Sequence, residues 1–405
     1  MFDVVIVGAR CAGAGLALLL ARRGMRVALL DRDEFPSDTL SGHYLHQSAV
    51  ARLAGWGLRA GLDQLGCPAL PSMLLDLDGV ELAGSALPVN GEHLAYCPRR
   101  YAFDAWLLEE ARAAGAEIHT GVRVDGLLYE DERVAGVAAR SRAGTRMEWP
   151  ARLVVGADGM QSTVARLAGA RMADLRPSYA CAYYAYWEGL DLGRAELYLR
   201  GDGVRRFAVA VPTNDGATTV CVAWPAEEHE RLRGDLDGAY HAALRALPLG
   251  DKLDGARRLD RLQGCIKNPN FVRQSAGPGW ALVGDAGYHK DPITAQGMAD
   301  ALRDAELLAD AIALADGSAL DPASSTYEAA RNRMLGPLFD YTCALAQLRS
   351  PPPEMRALAQ AMQHQPQALA RFFGIMAGSF ELPAFFDPAH VAAIMDGSLE
   401  TAGAP

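Results

Sequence analysis

The stretch Asp3-Val4-Val5-Ile6-Val7-Gly8-Ala9-Arg10-Cys11-Ala12-Gly13-Ala14 constrains this chain more than any other, because it is an apolar run that breaks at a glycine. Hydrophobic continuity without alternation predicts that Val4 to Val7 form a strand buried on both faces, as in a parallel sheet. Gly8 to Gly13 read as a tight turn and Ala14 to Arg23 as the helix after it. Such a turn holds a pyrophosphate on the N–H groups of a helix N-terminus; it needs glycine where the chain leaves the strand and a small residue where helix meets sheet. Gly8 and Gly13 fill those two places, with Cys11 and Ala12 in the same cradle. Arg10 stands where the backbone would approach the phosphates most closely, so its side chain either turns away from them or lends them charge. The next apolar run, Arg26 to Leu30, ends at Asp31, eighteen residues after Gly13. A carboxylate there can hold the hydroxyls of an adenosine ribose, and Arg32 follows it into the same site.

Composition narrows what such a turn can serve. Net charge is −10 over 405 residues and no dense basic run occurs, which argues against nucleic acid as a partner. Seven cysteines are scattered without a CxxC pair, a pattern of reduced thiols with no zinc or iron–sulfur site, and no metal is expected. The chain opens on a core strand without a charged leader, and no stretch has the length of a membrane span, so the expectation is a cytoplasmic protein.

Two later strands end in the same manner as the first. Leu153 to Gly156 delivers Asp158 and Gly159 to a loop that becomes a helix; Asp158 either takes hydrogen bonds from cofactor hydroxyls or caps that helix. Gly279 to Gly284 ends at Asp285, followed by the loop Tyr288-His289-Lys290-Asp291-Pro292 and a long helix after Gly297. Met298, Leu302, Ala305, Leu308 and Ile312 recur at helical spacing and predict one buried face. Positive charge at that helix N-terminus favours an anion by about 0.3–1 kcal/mol. Lys290 reads as a solvated loop charge.

Between these strands lie other elements. The polar connection from Arg32 to Tyr44, which carries Ser41 and His43, is long enough to be functional. Leu70 to Cys97 reads as a β-meander, Arg99-Arg100 open an amphipathic helix to Ala114, and a short strand near Ile118 to Val124 precedes a hairpin from Leu127 to Trp149. Strand patterns at Tyr179–Trp187, Ala195–Leu199, Arg206–Pro212 and Thr218–Trp224 predict a mostly antiparallel sheet. Its aromatic cluster of Tyr183, Tyr184, Tyr186 and Trp187 either lines a pocket or packs the sheet. After turn signals at Gly317-Ser318 and Pro322, a helix is expected from Ser325 to Leu348, then short phenylalanine-rich helices to Met395 and a disordered tail from Gly397. Phe372, Phe373, Phe380, Phe385 and Phe386 could cover a pocket, form a dimer contact or pack the tail.

In this order and at these separations, Gly8 to Gly13 with Asp31, Asp158-Gly159, and Gly284-Asp285 with Pro292 and Gly297 resemble the FAD-dependent aromatic hydroxylases, or group A flavoprotein monooxygenases, together with the related geranylgeranyl reductases. The resemblance spans about the first 315 residues. It implies an α/β fold: a Rossmann-like FAD-binding domain from residues 1–70, 99–170 and 276–320, an inserted mostly antiparallel β-sheet substrate domain from 71–98 and 171–275, and a helical C-terminal region, 321–405. It implies FAD held by the first turn, by Asp31 and Arg32, by Ser41, by Arg100 rather than Arg99, by Val124, by Asp158 and Gly159, and by Asp285, with Pro292, Gly297 and Met298 at the flavin's pyrimidine edge. NADPH or NADH would be the electron donor, directly or through a separate flavin reductase. The implied reaction is oxygen transfer from a flavin C4a-hydroperoxide to a small molecule, aromatic or polyketide-like. His43, Tyr288 and His289 are the titratable groups assigned to catalysis, with His46 as a further one, and each histidine also has a purely structural reading. Related halogenases carry Trp-x-Trp-x-Ile-Pro, and no Trp-x-Trp occurs here. Alkene reduction of the geranylgeranyl type, and a flavin-binding protein without turnover, are the alternatives. Oligomeric state is left open.

Overall fold

The computed structural model describes residues 1–201, 203–315 and 319–400. In chain order the first half comprises β1 (Phe2–Val7), α1 (Cys11–Arg22), β2 (Val27–Leu30), α2 (Gln47–Gly55), α3 (Arg59–Asp63), β3 (Met73–Leu77), β4 (Val80–Gly84), α4 (Arg100–Ala113), β5 (Glu117–His119), β6 (Val122–Glu130), β7 (Arg133–Ser141), β8 (Arg146–Gly156) and α5 (Thr163–Leu167). Strands β9 (Met172–Arg176), β10 (Ala180–Glu188), β11 (Ala195–Arg200), β12 (Arg206–Pro212) and β13 (Thr218–Pro225) follow, then α6 (His229–Leu232) and α7 (Leu236–Arg245). The chain continues through β14 (Arg257–Arg258), β15 (Gln263–Cys265), β16 (Asn270–Arg273), β17 (Ala276–Gly277), β18 (Trp280–Leu282) and β19 (Tyr288–His289). It ends in α8 (Gly297–Leu314), α9 (Leu320–Leu345), α10 (Pro353–Met362), α11 (Pro366–Ala377), α12 (Leu382–Phe385) and α13 (Pro388–Met395).

β1 lies at the centre of a sheet ordered β17-β18-β8-β1-β2-β5, paired in parallel with β2 (Val5 opposite Ala28) and with β8 (Val5 opposite Val154). Its unbroken apolar run is explained by burial on both faces: Val4 and Ile6 join the core under α1, α4 and α8, while Val5 and Val7 join the core beneath β6 to β8. Helix α1 is itself buried over most of its circumference, which is why its sequence lacks a polar face. The last arm of the expected hairpin and the expected strand from Leu153 are one continuous strand, β8, which pairs antiparallel with β7 at its start and parallel with β1 at its end. Gly136 makes this possible, since a Cβ there would lie 2.5 Å from the Trp149 carbonyl oxygen as β7 crosses β8.

A second sheet, ordered β14-β10-β13-β12-β11-β3-β4, is antiparallel except for β3 against β11. Register aligns its side chains in rows running across the strands. One row is Leu77, Leu199, Phe207, Ala223 and Ala182; the next is Leu75, Leu197, Val209, Cys221 and Tyr184; the third is Met73, Ala195, Val211 and Thr219. The aromatic cluster on β10 divides between faces because strand side chains alternate: Tyr183 and Trp187 join the core under α7, and Tyr184 and Tyr186 face the other way.

Helices α10 to α13 pack over this second sheet. Helix α9 starts at Leu320, five residues before the expected Ser325, because Pro322 falls in its first turn, where a missing N–H costs nothing. The tail expected to be disordered from Gly397 instead forms a short turn at Ser398–Glu400 with Leu399 buried; the rest of it, and the turn at Gly317-Ser318, lie outside the described residues. Among the described residues no helix is long and apolar enough to cross a membrane.

Candidate active site

The turn after β1 is closed by contacts that leave no room for side chains. Gly8 has φ +103°, and a Cβ on Gly13 would lie 1.8 Å from the Gly8 carbonyl oxygen. Ala14 is the first amide to bond back into the turn, to Arg10 O at 2.9 Å, so the amides of Cys11, Ala12 and Gly13 point out of the helix end. Asp31 braces this turn: its Oδ2 accepts from Ala9 N at 2.6 Å and its Oδ1 from Asp33 N at 2.8 Å, while burial raises its carboxyl pKa. Arg10 is bound by acids, pairing with Asp104 at 2.9 Å and Asp33 at 3.2 Å. Arg100 shares Asp104, with Nε at 3.0 Å. The Arg10 guanidinium is thus committed to these acids, an arrangement distinct from both roles the sequence left open.

One cavity of about 1330 Å³ runs from this turn to the second sheet. That exceeds the roughly 300–1,000 Å³ of a pocket for one small ligand, leaving room for a dinucleotide and a second molecule. Gly8, Arg10, Cys11, Ala12, Asp31, Arg32, Ser41, His43, Arg100, Val124, Asp158, Gly159, Asp285, His289, Pro292, Gly297 and Met298 all line it. Gly13 lies behind the lining as the packing point of helix on strand. Tyr288 is outside: its ring packs with Leu335, Phe339 and Cys343, and its hydroxyl is buried without a partner among the described residues. That position removes Tyr288 from the groups able to reach a ligand.

The loop after β18 holds most of the ionisable groups between the two halves of the cavity. Asp285 has no hydrogen-bond partner among the described residues, and burial raises its pKa. His289 is held by the Pro269 carbonyl through Nδ1 at 2.6 Å and stacks on Phe271. Lys290, expected as a solvated charge, is buried and paired with Asp300 at 2.8 Å, because its chain folds inward under the first turn of α8. Burial lowers its pKa and Asp300 opposes the shift. Burial also raises Asp291 to about 7, a group that no pattern in the sequence singles out.

His43 occupies the left-handed region at φ +59° and bonds through Nε2 to the Tyr186 hydroxyl. Burial, reinforced by the cations of Arg100 and Arg99, lowers its pKa to about 3, so the ring is neutral; its Nδ1 is buried with no partner among the described residues. Arg99 lies 4.1 Å from the Tyr186 ring centroid and pairs with Asp38 at 2.7 Å. His46 is likewise buried, bonded to Thr294 O and lowered to about 4 by desolvation. The Asp158 carboxylate is taken up by α5, accepting from Ser162 Oγ at 2.5 Å and Thr163 N at 2.6 Å. Arg123 and Arg166, absent from the sequence reading, line the same end as Arg32.

The exposed amides of the first turn, the unpartnered Asp285 carboxylate and the N-terminus of α8 form one wall of this cavity, a donor and acceptor set that fits FAD. A scaffold of this geometry is that of an FAD-dependent oxidoreductase. The chain belongs to the FAD binding domain family, matched over residues 1–340. It is 28% identical over 321 residues to a digeranylgeranylglycerophospholipid reductase of Methanosarcina mazei, covering 76% of this chain and 74% of that one. It is 32% identical over 176 residues to protein FixC of Escherichia coli K12, covering 42% of this chain and 39% of FixC. Among solved structures the flavin-dependent brominase Bmp2 superposes with a TM-score of 0.79 at 19% identity, covering 99% of this chain and 98% of that one. PqsL, a probable FAD-dependent monooxygenase of Pseudomonas aeruginosa, does so with a TM-score of 0.70 at 23% identity, covering 91% and 98%. The two structural likenesses show the fold.

Proposed function

We propose that the protein is an NAD(P)H-dependent monooxygenase that oxidises a small molecule, aromatic or polyketide-like, whose apolar part lies on the second sheet. The observation that carries this reading is the single cavity shared by a dinucleotide cradle and an apolar sheet floor. FAD, when bound, supplies the redox chemistry, taking electrons from a nicotinamide and passing them to oxygen. The amides of Cys11 and Ala12 would hold its pyrophosphate, Asp285 its polyol hydroxyls, and Arg32 the adenosine end. The N-terminus of α8 would favour negative charge on the reduced ring system. The apolar rows of the sheet exclude water from the reacting region and hold the substrate over it. His43, neutral and bonded to Tyr186, would serve as a fixed wall group that positions the substrate.

A second reading, flavin-dependent alkene reduction, is favoured by the match to the Methanosarcina reductase over about three-quarters of each chain. Anaerobic NADPH addition to the purified protein should bleach the flavin bands, and turnover under ¹⁸O₂ should place ¹⁸O in the product. Turnover with saturation of a double bond and no isotope uptake would establish the reductase; flavin that no donor reduces would point to a binding protein.

A further inference from the structure

The substrate half of the cavity has a direction. Its floor is the three rows of the second sheet, and its roof is Tyr341, Leu345, Met355, Phe372, Phe373 and Met376. The row containing Val211 and Thr219 is at the cofactor end, because the loop joining β12 to β13 is pinned to the start of α4: Asn214 Oδ1 accepts from Arg99 N at 2.8 Å, and Thr213 Oγ1 donates to Cys97 O at 2.5 Å. The row containing Leu199 and Phe207 is four residues further along the strands. At about 3.3 Å per residue the floor therefore extends roughly 13 Å away from the cofactor half.

At that far end the segment Arg349–Pro352 crosses the end of β11. A Cβ on Gly201 would lie 2.3 Å from Ser350 Cα, so segment and strand are in close contact. Arg349, Ser350 and Pro352 are exposed and line the cavity, which makes this its mouth. Between floor and roof the side chains carry no formal charge; at the mouth there is Arg349, which has no hydrogen-bond or ion-pair partner among the described residues. Neighbouring arginines are committed, Arg200 to Asp76 and Arg205 to Glu227.

From this arrangement we infer that the substrate is an elongated amphiphile, with an aliphatic body along the strands and an anionic end, carboxylate or phosphate, held by Arg349. A compact phenol cannot reach Arg349 and the cofactor end together. The inference rests on the oxidoreductase reading of the site but holds for oxygenation and reduction alike, so it is tested by binding alone.

The FAD-loaded full-length protein is titrated calorimetrically with dodecanoate, dodecyl phosphate, dodecan-1-ol and 4-hydroxybenzoate, without NAD(P)H. Stoichiometric binding is expected for at least one of the two anionic chains, the tighter of which identifies the anion. Arg349→Gln should weaken it about tenfold, the loss of one charge-assisted contact, while leaving dodecan-1-ol unchanged; Arg349→Lys should restore part of the affinity. Tighter binding of 4-hydroxybenzoate than of either chain, an equal loss for acid and alcohol in Arg349→Gln, or no stoichiometric binding of any chain would overturn the inference. Failure of ¹⁸O incorporation would instead refute the oxygenase reading and leave this one standing.

Discussion

Asp291 concentrates several constraints in one carboxyl group. Its Oδ1 accepts from Ile293 N at 3.1 Å, its amide donates to Asn270 at 2.7 Å, and its Oδ2 is buried without a partner among the described residues. Burial raises its pKa from 3.8 to about 7. An acid whose folded pKa lies above its unfolded value supports the fold fully below about pH 4 and loses that support as pH rises through about 7. Three units correspond to at most ~4 kcal/mol. Asp291→Asn keeps the acceptor for Ile293 and removes the ionisation. It should therefore raise the urea midpoint near pH 8, with the gain vanishing near pH 4; parallel profiles for both proteins would show that the carboxyl is hydrated. His43 has the opposite sign. With a folded pKa of about 3 against 6.5, it supports the fold above pH 6.5 and withdraws that support as pH falls toward 3. His43→Gln should make the acid limb of the stability curve shallower over that window.

Among the elements, the short helix α5 depends on its N-terminal hydrogen bonds. Asp158 accepts from Thr163 N and Ser162 Oγ, and Ser162 Oγ in turn accepts from Ala165 N at 3.0 Å. Asp158→Ala should cost about 1–2 kcal/mol, the range of a lost cap, read as a lower melting temperature of the FAD-free protein. An unchanged melting temperature would return Asp158 to a ligand-holding role alone. The sequence signal for this strand-loop-helix unit is clear, yet the division of Asp158 between cap and cofactor depends on where Ser162 and Thr163 fold back, which spacing does not encode. By contrast the strands β10 to β13 are legible almost to the residue, since each alternates between two packed faces. β8 was harder to read because Pro150 and the preceding polar residues look like a break, whereas the absence of a side chain on Gly136 lets the strand pass through.

At the scale of the whole molecule, the strand-end turns lining one half of the cavity are legible in the sequence and the sheet floor of the other half is not, for one physical reason. The first is built from backbone turns at strand ends, whose glycine and aspartate requirements are local. The second is built from a floor of aliphatic side chains that look like any sheet core, beneath helices that arrive from residues 341–376 with no periodic signal for what they cover. Phe372 and Phe373 illustrate this: they line the cavity, whereas Phe385 is buried in the packing of the tail. The two halves should accordingly be separable by mutation. Val209 lies in the middle row of the floor, half-buried and facing the cavity. Val209→Trp adds bulk to open space rather than to a packed core, so the overpacking cost of about 1–3 kcal/mol does not apply in full. The variant should fold and retain FAD at wild-type stoichiometry by absorbance, because the cofactor half begins beyond the next row. It should lose measurable affinity for a twelve-carbon anionic chain. Loss of FAD together with the chain would mean that the cofactor extends across the sheet floor, and the assignment of that floor to substrate would fall with it.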